Sequence, residues 1–101
     1  MKGHIDIQIK GIFKPNRSYL FEVYRQACQS DITGSVVFHN PSLMFITAEG
    51  EQGKLGDYIE WCKHTFSSEE IEMTVEKKDK QMNYNEFRIL KSDVVQKDSA
   101  K

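Results

Sequence analysis

Two basic side chains, Lys14 and Arg17, lie in a run of loop-forming residues, Gly11-Ile12-Phe13-Lys14-Pro15-Asn16-Arg17-Ser18. This run joins an alternating segment to a helical one. The first N–H groups of a helix have no intrahelical partner, and the helix dipole favours negative charge there. Lys14, Asn16, Arg17 and Ser18 therefore form a candidate anion site for a phosphate or carboxylate. The same residues also describe an ordinary solvated loop. Other chemistry is poorly served. His4, His39 and His64 fall on three different elements without ligand spacing, each expected at the surface or a strand end, and there is no Cys-x-x-Cys pair. No metal or cofactor is expected. Cys28 and Cys62 lie on or beside helical stripes and read as small core hydrophobes rather than nucleophiles.

The elements that position this loop follow from periodicity. Ile5, Ile7 and Ile9 alternate with His4, Asp6, Gln8 and Lys10, the pattern of a half-buried strand. Between Tyr19 and Gln29 the period lengthens: Leu20, Val23, Tyr24 and Ala27 make one helical stripe. Ser35–His39 and Leu43–Ala48 read as a hairpin across Asn40-Pro41-Ser42. Leu55, Tyr58, Ile59 and Cys62, with Trp61 alongside, mark a second helix ending near His64 or Thr65. Ile71, Met73 and Val75 alternate with Glu70, Glu72, Thr74 and Glu76 in a fourth strand, and Phe87 and Ile89 form a short last one. Tyr24, Phe45, Tyr58, Trp61 and Phe87 are expected in the core or at its edge.

Two single-striped helices and strands with one wet face call for two layers. The expectation is an α+β, ferredoxin-like βαββαβ sandwich: an antiparallel sheet with both helices on one face, plus a short extra C-terminal strand. Residues 1–90 would form the domain and residues 91–101 a disordered tail.

Composition excludes several classes. The 101 residues suffice for about one domain, and 14 Lys plus Arg against 15 Asp plus Glu leave a net charge of −1. The RNA recognition module shares this element order. It needs aromatics on the open face of the first and third strands, and here the first offers His4, Asp6, Gln8 and Lys10. No nucleic-acid partner is expected. No apolar run spans a bilayer, and the first residues carry no secretory pattern. The expectation is a cytoplasmic monomer with reduced cysteines.

Several segments resemble the acylphosphatases. Ile-Gln-Ile-Lys-Gly at 7–11 is similar to their opening strand and first glycine. Ala27, Ile32, Gly34 and Val36 match their Ala-x-x-Leu-Gly-Leu-x-Gly-x-Val segment, and Gly50, Leu55, Tyr58, Ile59 and Trp61 the stretch around their second helix. Asn85-Glu86-Phe87-Arg88-Ile89 looks like their closing strand. The resemblance covers about residues 4–90 and is carried mainly by structural positions. It implies hydrolysis of the carboxyl–phosphate bond of small acyl phosphates, a hydrolase acting on acid anhydrides without metal or cofactor. In that family a Gly-x-Val-Gln-Gly-Val-x-Phe-Arg loop wraps the phosphate in backbone amides, its Arg binds the charge, and an Asn in the second strand positions the attacking water.

This chain departs at those points. Phe13-Lys14-Pro15-Asn16 stands where the family has Val-Gln-Gly, and Pro15 has no amide hydrogen to donate. The loop is one residue longer. Counting back from Ala27, the family Arg position falls at Leu20; counting on from Gly34, the Asn position falls at Phe38. Arg17, about one turn before Leu20, and Asn40, two residues beyond Phe38, are the catalytic pair that could replace them. Two readings stand: an acylphosphatase using Arg17 and Asn40, and a non-catalytic module whose loop 11–18 holds a small phosphorylated or anionic ligand or an acidic partner.

Overall fold

The computed structural model describes residues 2–13, 18–67, 70–78 and 83–90. In chain order these form β1 (Lys2–Gly11), α1 (Tyr19–Gln29), β2 (Thr33–Asn40), β3 (Leu43–Glu51), α2 (Gln52–Thr65), β4 (Ile71–Lys78) and β5 (Phe87–Ile89). The five strands make one sheet in the order β4-β1-β3-β2-β5. The β1–β3, β1–β4 and β2–β3 pairs are antiparallel, as expected; β5 lies parallel to β2, so the sheet is mixed. The proposed tail at 91–101 lies outside the described residues.

Alternation decides the faces. Ile5, Ile7 and Ile9 stand opposite Ala48, Ile46 and Met44, and all six are buried. Val36 of β2 and Phe87 of β5 extend this face. Val23 and Ala27 of α1 and Leu55, Tyr58 and Cys62 of α2 cover it from one side. Two expectations are corrected here. Tyr19 is 4% exposed and opens the α1 stripe, while Leu20 and Tyr24 only flank it. Cys28 is exposed rather than a core residue, because the buried stripe runs through Ala27. Phe45 is half-buried on the opposite face of the sheet, its ring edge-on to His39 at 5.5 Å.

Local chemistry fixes the element ends. Asp31 adopts a positive φ of 56° after the last turn of α1. The Ile32 N–H then donates to the Ala27 carbonyl at 2.9 Å and the Asp31 N–H to that of Cys28 at 3.4 Å, the pairing that closes a helix through a left-handed residue. At Gly34, φ is +140° and a Cβ would run into the Thr47 carbonyl oxygen, so only glycine lets β2 approach β3 this closely.

The buried face carries two groups whose ionisation opposes folding. Burial pushes the Cys62 thiol up from 9.0 to about 12. Burial is also the main cause raising the Tyr58 phenol, whose hydroxyl donates to the Val23 carbonyl at 3.1 Å. Above their ordinary values the unfolded chain loses protons that the native state keeps, so stability falls as pH rises. Urea denaturation should show stability level to about pH 8.5 and declining between there and pH 12. A thiol-exchange reagent at pH 8 should label Cys28 alone in the native protein and both cysteines in denaturant. Native labelling of both would contradict this packing.

Candidate functional site

The loop end of the sheet is where the C-terminal ends of β1 and β2, the start of α1 and the end of α2 meet. Of the residues expected to bind or catalyse, Lys14, Asn16 and Arg17 lie outside the described residues. Ser18 is exposed at the cap of α1; its carbonyl accepts the Glu22 N–H at 3.0 Å, and its side chain makes no capping bond. Asn40 ends β2 after an irregularity in register beyond Phe38. Its Oδ1 accepts the Ser42 N–H at 2.8 Å, which holds the β2–β3 turn.

The described amides of the loop are also engaged. The Gly11 N–H donates to the Ser42 carbonyl at 2.8 Å and the Ile12 N–H to the Glu70 carbonyl at 3.2 Å. Gly11 has φ +152°, and a Cβ there would collide with the Glu70 backbone. Its glycine is required by that close approach.

Phe38 faces the helices, and Phe13 stands edge-on to it with ring centroids 5.1 Å apart. Phe13 is also edge-on to Tyr19 at 5.1 Å and to Phe66 at 6.3 Å, while Tyr19 stacks on Phe66 at 5.5 Å. Leu20 packs against the same core. Four rings, from the segment after β1, from α1, from β2 and from the C-cap of α2, thus pack together at this end of the sandwich.

A second cluster escaped the sequence reading. His4 and Glu49 are cross-strand partners on the face away from the helices, yet only 7% and 4% exposed. His4 Nδ1 lies 2.7 Å from Glu49 Oε2, and His4 Nε2 lies 3.1 Å from Asp6 Oδ1. The Tyr84 N–H donates to Glu49 Oε1 at 3.2 Å, and the Tyr84 ring lies 6.4 Å from His4. The segment leading to β5 covers what alternation had marked as wet, so His4 is not the surface histidine expected. Burial beside Glu49 and Asp6 raises the Tyr84 phenol above its usual range. The cluster anchors the crossing segment, and among the described residues its His4, Glu49 and Asp6 are not arranged to hold a metal ion. The only signal was Glu49 continuing the period of β3.

Removing one member leaves a buried carboxylate poorly paired. His4→Ala should cost about 3 kcal/mol by urea denaturation and loosen the Tyr84 amide in hydrogen exchange. Phe38→Ala should cost about 2 kcal/mol by opening the ring cluster. Losses under 0.5 kcal/mol in both would contradict these contacts.

No family model and no curated protein matches the sequence. Among solved structures, the chain is similar to the acylphosphatase from Bacillus subtilis, with a TM-score of 0.76 and 19% identity over 89% of this chain and 99% of that one. An acylphosphatase from Coxiella burnetii gives a TM-score of 0.73 and 19% identity over 88% and 93%. Full-length HypF, solved in its phosphate- and nucleotide-bound form, gives a TM-score of 0.76 and 26% identity over 92% of this chain. The chain spans only 12% of HypF. No helix of the described residues is long and apolar enough to cross a membrane. At these identities the likeness is one of architecture, and in fold this chain is an acylphosphatase-like domain.

Proposed function

We propose that this chain is a non-hydrolysing acylphosphatase-like module, whose loop 11–18 holds a small phosphorylated or anionic ligand through the side chains of Lys14 and Arg17. The observation that carries this reading is the ring cluster of Phe13, Tyr19, Phe38 and Phe66. Hydrolysis of an acyl phosphate needs a cation on the phosphoryl oxygens and a group that orients water. The positions that would supply them by the family resemblance, Leu20 and Phe38, are in apolar packing. The amides of Gly11 and Ile12 already donate to backbone carbonyls, and Asn40 Oδ1 is committed to Ser42. Side-chain charge is then what the loop retains for an anion, with Asn16 and Ser18 as further donors. A monomer in the cytoplasm goes with this reading.

The alternative is acyl phosphate hydrolysis by Arg17 and Asn40, favoured by the near-complete overlap with the Bacillus subtilis acylphosphatase. It requires Asn40 to release Ser42. Benzoyl phosphate separates the two. The non-hydrolysing reading expects cleavage at the buffer rate, unchanged by Arg17→Ala, and phosphate-dependent amide shifts around Ser18 that Lys14→Ala and Arg17→Ala diminish. Cleavage well above buffer that Arg17→Ala abolishes would establish the enzyme instead. Leu20→Arg combined with Phe38→Asn should raise phosphate affinity, at a cost in stability from the opened ring cluster.

A further inference from the structure

A concavity with an apolar floor lies at the other end of the sandwich, where β1 begins, β4 ends and α2 starts. It encloses about 340 Å³ and is lined by Gly3, His4 and Ile5 of β1, Gln52, Leu55, Gly56 and Ile59 of α2, and Lys77 and Lys78 of β4. We propose that this cavity binds a small amphipathic organic anion, a carboxylate carrying a hydrocarbon body. The proposal is independent of the loop 11–18 reading.

Register assigns the roles. Lys77 pairs with Ile5, whose side chain faces the helices, so Lys77 stands on that side over Leu55 and Ile59. Lys78 pairs with His4 on the opposite face, where its Nζ lies 3.2 Å from Glu76. Lys77 makes no ion pair among the described residues, and no carboxylate is among the described residues lining the cavity. Ending a core-facing row of Ile71, Met73 and Val75 with a lysine sets a cation at the mouth of an apolar recess. Gln52 adds a neutral amide.

Gly56 lines the recess and puts no side chain into it. A Cβ at this position would meet no atom within 4 Å, although it sits in the body of α2, where glycine costs about 1 kcal/mol relative to alanine. Gly3 is different: a Cβ there would press on Leu55 Cδ1 at 3.2 Å, so the β1 wall is already close-packed. Ligand sites are commonly concavities of about 300–1,000 Å³ with an apolar lining and a few convergent polar groups. A single cation over a hydrocarbon floor matches an anionic head on an apolar body.

Octanoate is the probe, titrated into the full chain and followed by backbone amide shifts. Saturable shifts should appear at Gly3, Gly56 and Lys77, not at Gly11 or Ser18. Gly56→Leu fills the recess and should weaken binding at least tenfold while leaving the melting temperature unchanged or higher. Lys77→Gln should weaken octanoate several-fold and abolish the preference for octanoate over octanamide. Absence of saturable shifts, or an affinity that both variants leave unchanged, would overturn the proposal. Equal affinity of the wild-type chain for octanamide would do the same.

Discussion

The pairing of β1 with β3 is the constraint on which the rest of the molecule depends. Its register runs from Lys2 opposite Glu51 to Lys10 opposite Leu43, and it stacks Ile5, Ile7 and Ile9 against Ala48, Ile46 and Met44. A slip of β1 by one residue would send Ile5, Ile7 and Ile9 to the other face and bring His4, Asp6 and Gln8 under the helices. Because β1 alternates strictly, only one register sets its three isoleucines against the buried row of β3. The helices, the edge strands and both ends of the sandwich are then placed relative to that pair.

The two ends have been finished differently. At the end where β1 finishes, aromatic rings contributed by four separate segments fill the interior, and backbone carbonyls take up the nearby amides. At the end where β1 starts, a glycine on α2 leaves room and a lysine on β4 leans over it. Close-packed rings leave little space for solvent or solute, whereas an unfilled recess beside a cation keeps both. Among the described residues, one scaffold thus carries an aromatic cluster at one end and a recess at the other.

Elements with a clear period were legible in the sequence. The stripes through Val23 and Ala27 and through Leu55, Tyr58 and Cys62, and the alternation of β1 and β4, follow from burial on one side. What was not legible depends on segments distant in the chain. Cys28 sits one position past a buried alanine, and a 100° step per residue carries it to solvent, a margin that a stripe drawn from Leu20 and Tyr24 could not resolve. Burial of His4 and Glu49 requires Tyr84, 35 residues beyond Glu49, to lie across them. The parallel pairing of β5 needs a crossing that a three-residue strand does not advertise. At the loop end, the positions of Leu20 and Phe38 were readable by counting, but their joining with Phe13, Tyr19 and Phe66 was not, since Phe66 arrives from the far end of α2.

The direction of β5 decides which pole this edge of the sheet runs toward. Gly34 faces Phe87 and Val36 faces Ile89, so the backbone rises alongside β2, and the Leu90 N–H still reaches the Val36 carbonyl. Through Leu90 the backbone therefore runs toward Asn40, on the same pole as Phe13 and Ser18. Leu90, the last described residue of this edge, thus stands at the pole of the aromatic rings and away from the recess beside the start of β1.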